Sequence, residues 1–243
     1  MRTMLDVDEH HWWYRGRRRV VAAELSRLPL SGSGRVLDAG CGSGRMLQEL
    51  VRYGEVSGIE LDAEAASVAA ERRVGEVRVG RLEELPWPDG TFELITCLDV
   101  IEHTPDDRRA LAELRRVAAP GGWLLVTVPA YQALWSLHDL ANHHYRRYGR
   151  RALRQAAAEA GWSVQRVTSF NMLLLPPAAV VRLLQRGQSP DDGYTPDLRL
   201  GPQWLNSLLE LPLRAEASWL ARSRRLPAGL SLLAVLRNPA PSA

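Results

Sequence analysis

Apolar residues recur along this chain in two alternating rhythms. Residues 35–39, 56–60, 76–79, 92–98 and 123–128 are short stretches of consecutive or alternating apolar residues, which read as strands. Between them, residues 45–53, 63–73 and 106–119 repeat apolar positions every three or four residues, which reads as helix. A further helix over 12–28 precedes the first strand and stops at Pro29 and a Ser/Gly linker. "PWPDG" and Pro120-Gly121-Gly122 punctuate the pattern as turns. Strands that alternate with helices build a parallel sheet covered on both faces, so the expected class is α/β with a doubly wound, mostly parallel sheet.

Beyond residue 128 the rhythm changes. A polar, His-rich loop fills 129–148, followed by a helix over 151–160 and a strand over 162–169. Residues 171–226 read as helical and proline-broken, and "GLSLLAVLR" reads as a seventh and last strand. Reached after so long an excursion, that strand is expected at an edge, paired with the strand before the excursion. The chain thus divides into an N-terminal helical segment (1–30), a core (31–170), a helical insertion (171–226) and a last strand with its tail (227–243). Within the insertion, Trp204, Leu208, Leu211 and Ala215 recur at helical spacing, and Trp219 continues the stripe. Such helices have something apolar to cover. Three readings compete: a cap for a large or lipid-linked acceptor, a homodimer interface, and a membrane-surface anchor helped by Arg214, Arg222, Arg224 and Arg225. Glu210 and Glu216 interrupt the basic face and count against the anchor.

Composition narrows the function. With 243 residues, 46% of them hydrophobic and 24% charged, the chain suits one sizeable α/β domain with an embellishment and excludes disorder. The net charge of +3 is spread along the chain, which gives nucleic-acid binding little support. All 31 basic residues are arginine, so Schiff-base lysine chemistry and a Walker-type phosphate loop are excluded. Cys41 and Cys97 lie far apart in apolar stretches, which suits a reducing cytosol and argues against a disulfide scaffold or zinc site. The N-terminus has no apolar signal region, and no run reaches the ~18 apolar residues of a spanning helix. A cytoplasmic location is expected, with peripheral membrane contact as the alternative.

The candidate chemistry begins at "VLDAGCGSGR", where three glycines join the first strand to the following helix. A dinucleotide fingerprint needs G-x-G-x-x-G with a pyrophosphate on the helix N-terminus, but Arg45 takes the place of the third glycine. Asp38, ending the first strand, is misplaced beside a pyrophosphate and suits an ammonium or sulfonium instead. Glu60, ending the second strand, is placed to accept hydrogen bonds from both hydroxyls of a ribose. A ribose and a cationic end together describe S-adenosylmethionine.

"VLDAGCGSG", "GIELD", "LPWPDGTFELITCLDVIEH" and "LRRVAAPGGWLLVTVP", in this order and spacing, resemble a class I S-adenosylmethionine-dependent methyltransferase related to the quinone-biosynthesis methyltransferases. The resemblance covers about residues 12 to 170. It implies a Rossmann-like seven-stranded sheet with an antiparallel last strand. It also implies that Asp38, Gly40, Cys41, Gly42 and Gly44 line the methionine end, that Glu60 holds the ribose, and that Leu61 packs on the adenine. Asp99 would face the cofactor amino group or the acceptor. Arg81 stands where the family's acidic residue meets the adenine amino group; Leu82 and Glu83 follow it, and Glu83 is the carboxylate that would substitute.

Methyl transfer to a small-molecule acceptor is mostly positioning, and it needs a base only where the nucleophile carries a proton of high pKa. In the loop "WSLHDLANHHYRRY", His138 is the candidate base with Asp139 to orient it; the competing readings are a structural histidine and a metal ligand with Asp139, His143 and His144. His103, beside Glu102, is a second candidate that could equally pack and cap. Trp13, Arg17 and Val20 share one face of the first helix. That helix reads either as a lid, with Tyr14 or Arg17 near the methionine carboxylate, or as a flanking helix with core tryptophans. A module that holds the cofactor without transferring its methyl group remains the alternative function, and S-adenosylhomocysteine is the product if transfer occurs.

Overall fold

A computed structural model describes residues 7–184 and 202–240. Its strands are β1 (Gly34–Ala39), β2 (Gly54–Glu60), β3 (Gly75–Val79), β4 (Phe92–Leu98), β5 (Ala118–Pro129), β6 (Ser163–Phe170) and β7 (Ser231–Arg237). They form one sheet in the order β3-β2-β1-β4-β5-β7-β6. β1 pairs in parallel with β2 and β4, β2 with β3, and β4 with β5. The order reverses direction between β1 and β4, so the carboxyl ends of these two strands flank the switch point at which such sheets bind ligands.

The last strand runs antiparallel. Gly121 N–H donates to Asn238 O (2.9 Å), Asn238 N–H to Gly122 O (2.8 Å) and Ala130 N–H to Leu230 O (2.8 Å), so partner numbers fall as those of β5 rise. Two expectations need correction here. β7 does pair as a late strand, but it sits between β5 and β6, and β6 is the edge. Pro120-Gly121-Gly122 is not a turn ahead of the strand but part of β5. Gly121 takes φ +78°, the ladder to β4 shifts register between Phe92 and Leu94, and the Asn238 amide caps the irregularity by donating to Ala118 O (2.8 Å). A proline-glycine pair punctuates sequence patterns, yet a bulge supported by a side chain absorbs it within a ladder.

The described helices are α1 (Trp12–Leu25), α2 (Arg45–Leu50), α3 (Ala63–Glu71), α4 (Asp107–Val117), α5 (Leu137–Ala141), α6 (Arg150–Glu159), α7 (Leu175–Leu184) and α8 (Gln203–Ala221). Among the described residues no helix is long and apolar enough to cross a membrane.

The chain divides into two compact units. The sheet unit comprises Pro29–Val128, Arg150–Val167 and Leu233–Ala243. Its core is built from Val36, Leu37, Ile59, Leu94, Ile95, Leu111 and Leu114, all buried. The segment before β4 carries no regular structure and is held by side chains from its neighbours, Arg116 making the most bonds. Arg116 donates to Leu85 O (2.9 Å), Trp87 O (2.9 Å) and Asp89 Oδ1 (2.7 Å), which fixes "LPWPD" with a planar fork of donors.

The helical unit comprises Met1–Leu28, Pro129–Gly149 and Thr168–Leu232. α1 packs along α8. Gly16 makes this approach possible: a Cβ there would stand 2.7 Å from Leu213 Cβ. Glycine inside a helix ordinarily weakens it. Here replacement is expected to do harm, and Gly16→Val should lower stability by about 1–3 kcal/mol through overpacking, read from the urea midpoint. At the same interface Glu210, almost fully buried, accepts from Arg19 Nε (2.7 Å) and Arg214 Nε (2.9 Å) and pairs with Arg15 Nη2 (3.0 Å). Glu216, also buried, accepts the backbone N–H groups of Asn171 (2.5 Å) and Met172 (2.8 Å), ahead of α7.

Candidate active site

β1 leaves the sheet through a turn whose backbone is left-handed at three glycines. Gly40, Gly42 and Gly44 take φ +80°, +52° and +79°. A Cβ on Gly40 would stand 2.8 Å from Val100 Cγ1, and one on Gly44 would stand 2.9 Å from Ala69 Cα, so both positions are closed to side chains by packing as well as by φ. A Cβ on Gly42 would meet nothing within 4 Å. The turn therefore packs against protein at two glycines and faces open space at the third. It is tied to β2 by Gly40 and Cys41, whose N–H groups both donate to Ile59 O (2.8 and 3.0 Å).

Glu60 closes the turn from the end of β2. Its Oε2 accepts from Gly42 N–H (2.8 Å), and its Oε1 accepts from Leu61 N–H (2.8 Å) and Asp62 N–H (3.1 Å). A carboxylate offers about four acceptor directions, so Oε2 retains capacity for one hydroxyl, and a second hydroxyl must displace a backbone donor. Leu61 is 60% exposed, an apolar side chain on the solvent side of this turn. Asp62 next to it caps α3 by accepting from Glu64 N–H and Ala65 N–H.

Asp38 and Asp99 bring two more carboxylates to the carboxyl ends of the strands. Asp38 is buried at the end of β1 and accepts from Thr96 Oγ1 (2.7 Å). Asp99 follows β4 with φ +56°, a left-handed conformation that aspartate tolerates better than most residues, and its N–H donates to Thr127 O (2.9 Å). The two cysteines register the resulting potential. Burial, then the charges of Asp38 and Glu60, push the Cys41 thiol far above its ordinary range. Burial, then Glu102, Asp38 and Asp99, do the same at Cys97. Both thiols stay protonated, and neither is a nucleophile.

Open space over Gly42, three carboxylates at neighbouring strand ends and an exposed leucine beside Glu60 suit a ligand with a ribose, a flat apolar base and a cationic end. Leu82 is buried, and Glu83 is half-buried with its backbone O accepting from Arg109 Nε (3.2 Å); Arg81 is exposed. His103 is exposed on the single 3-10 turn Ile101–His103 that follows Asp99. Tyr14 and Arg17 belong to the helical unit, where the Arg17 guanidinium lies 5.2 Å from the Tyr14 ring centre. Trp13 in the same helix stacks on buried Phe170 at 5.7 Å and 8°.

The loop after β5 is ordered by its own polar groups. Tyr148 N–H donates to Pro129 O (2.9 Å) and Tyr131 N–H to Tyr148 O (3.0 Å), closing the loop at its base. At its centre Asp139 is fully buried. Its Oδ1 accepts from Arg147 Nε (2.7 Å) and lies 2.9 Å from His144 Nδ1, and its Oδ2 accepts from Ser136 N–H (2.9 Å). Burial alone would raise the Asp139 pKa, but the hydrogen bonds and charge of His144 and Arg147 carry it well below the usual carboxylate range.

These bonds revise the roles expected in the loop. The carboxylate expected to orient His138 instead orients His144. His138, one residue along the same helical turn, is pushed down to about 4 by burial and by the Arg182 charge, with Asp139 opposing. A metal reading of His138, Asp139, His143 and His144 loses its carboxylate, because both Asp139 oxygens already serve protein donors. Arg147 is a residue that sequence reasoning missed; the Ser136-x-x-Asp139 spacing of a capping box was the available signal for the ordered turn.

Comparison with known proteins agrees with this geometry. A methyltransferase-domain family model matches residues 13–167. A ubiquinone biosynthesis O-methyltransferase of Thiobacillus denitrificans is 28% identical over 203 residues, which is 72% of this chain and 86% of that protein. A probable S-adenosylmethionine-dependent methyltransferase of Mycolicibacterium smegmatis is 37% identical over 133 residues, 53% of this chain and about half (49%) of that protein. The solved structure of a putative methyltransferase from Bacillus halodurans superimposes with a TM-score of 0.62 at 17% identity, covering 91% of this chain and 99% of that one, and so shares its fold. The family match spans well over half of the chain, so the chain belongs to the methyltransferase-domain family and is a class I S-adenosylmethionine-dependent methyltransferase.

Proposed function

We propose that this enzyme transfers the methyl group of S-adenosylmethionine to an oxygen of a small or lipid-linked acceptor. The observation that carries the reading is the Asp139–His144 hydrogen bond of 2.9 Å in the loop after β5. Bound S-adenosylmethionine supplies an activated methyl group on sulfonium sulfur. Asp38 and Asp99 would hold its cationic methionine end, Glu60 its ribose, Leu61 its adenine, and Gly42 would leave room for it. The acceptor oxygen forms the new bond to carbon as the carbon–sulfur bond breaks, and the acceptor's proton goes to a base.

His144 suits that role better than His138. With its Nδ1–H donated to Asp139, the neutral ring presents Nε2 as the basic nitrogen, and the carboxylate stabilises the imidazolium that proton transfer creates. His138 is neutral at pH 7, but its low basicity gives little driving force. His103 is exposed and stands as the remaining candidate. The relation to an O-methyltransferase of ubiquinone biosynthesis supports oxygen as the target.

Methyl-labelled cofactor offered with hydroxylated aromatic acceptors, with and without a polyprenyl tail, tests the reading. The label should be released as methyl iodide by hydriodic acid, the behaviour of an ether. Label retained on carbon or nitrogen overturns oxygen as the target, and no transfer to any acceptor favours a module that only holds the cofactor. His144→Ala should lower turnover about 100-fold with adenosylhomocysteine affinity unchanged, the size of a general-base contribution.

A further inference from the structure

α8 is turned the opposite way from an ordinary surface helix. At about 100° per residue, Trp204, Leu208, Leu211, Ala215 and Trp219 fall within an arc of roughly 80°, and Arg222 continues the same line. That line is the exposed one: Trp204 is 68% exposed, Leu208 55%, Leu211 51% and Trp219 39%. The opposite face carries Asn206, Glu210, Leu213, Glu216, Ala217 and Leu220, all buried. Glu210 and Glu216, which in the sequence interrupt a basic face, are therefore not on it. They point inward, one held by three arginines and the other by backbone N–H groups.

The exposed face is left with no acidic residue. Beyond its end Arg222, Arg224 and Arg225 are all exposed, and the Arg224 guanidinium lies 4.3 Å over the Trp219 ring. An apolar stripe bounded by tryptophans and finished by arginines is the chemistry of a helix lying in the plane of an anionic bilayer, with the indoles at headgroup depth. A second copy of this chain offers the same acid-free face, so nothing on it would answer the arginines; a surface of acidic headgroups does.

We infer that α8 is a docking surface for an anionic lipid bilayer, on which Trp204, Leu208, Leu211 and Trp219 insert and Arg222, Arg224 and Arg225 meet headgroup phosphates. The inference concerns partner rather than acceptor, and its test uses neither acceptor nor turnover, so it can fail while the reading of O-methylation stands.

The full chain is mixed at low ionic strength with vesicles of phosphatidylcholine alone and of phosphatidylcholine with phosphatidylglycerol, and co-flotation is measured. Binding to the anionic vesicles should exceed binding to the neutral ones, and should fall about 100-fold on replacing the three arginines with glutamine, since each is worth about fivefold near such a surface. Leu208→Asp with Leu211→Asp should abolish flotation while adenosylhomocysteine affinity is kept, which shows that the variant is folded. Equal binding to both vesicles, or binding to neither, overturns the inference. So does a concentration-dependent dimer of the full chain that the same two aspartates dissociate, because the face would then belong to a protein interface.

Discussion

Asp139→Ala should destabilise the fold by about 3–5 kcal/mol, the cost of leaving a buried charge without its partner. Asp139 is fully buried, and its partner Arg147 is almost so. Alanine would leave the guanidinium with a bond to Ala130 O (3.2 Å) and no countercharge from this position, and would release Ser136 N–H and the His144 ring as well. Asp139→Asn keeps one acceptor and should cost less. The pH dependence has a definite sign. The folded-state pKa of Asp139 lies below its unfolded value, so its contribution is fully present above the ordinary carboxylate range and is lost as pH falls below about 4. Urea unfolding of the wild type and Asp139→Asn as pH is lowered from 7 measures this directly. The difference between them should shrink in acid, and an Asp139→Ala protein with an unchanged midpoint at pH 7 would reject the account.

Glu60→Ala should weaken adenosylhomocysteine binding by about 2–3 kcal/mol, or roughly 30- to 150-fold, because hydrogen bonds to a charged group are among the strong ones. Two losses combine. The ribose loses its acceptor, and the glycine turn loses the carboxylate that gathers the N–H groups of Gly42, Leu61 and Asp62. Glu60→Gln separates them, since the amide oxygen can keep one side of the clamp. Its affinity should lie between wild type and Glu60→Ala. Calorimetry that finds Glu60→Ala as tight as wild type would remove Glu60 from the cofactor site.

The parts of this protein that could be read from the sequence are those whose cause is local. β4 is bounded by its own turn signals and extends over Phe92–Leu98 as the apolar run indicates. The glycine turn and Asp62 cap are set by residues within a few positions of one another. Strand order is not local: β7 enters between β5 and β6, and a run of apolar residues carries no mark of the neighbours it will have. The stripe of α8 shows the limit most sharply. Periodicity identifies two faces but not which one is covered, and Glu210 on the inward face makes sense only once Arg15 and Arg19 from far earlier in the chain arrive. In the loop, Asp139 and His144 carry recognisable chemistry, but their pairing depends on a turn that brings residue 144 back over residue 139.

The Glu210 cluster also bears on how the chain is made. α1 is translated well before α8, and its Arg19 finds its carboxylate 191 residues later. Until α8 has been synthesised, Gly16 has no Leu213 to pack against, and the interface that completes the helical unit does not exist. The sheet waits as well, since the strand between β5 and β6 is translated after both of them. Both units therefore finish folding only after α8 and β7 have been translated, with contacts of high sequence separation that slow the final step. A nascent chain stalled short of residue 210 would hold Arg15 and Arg19 without the carboxylate that receives them, a form suited to capture by chaperones rather than to catalysis.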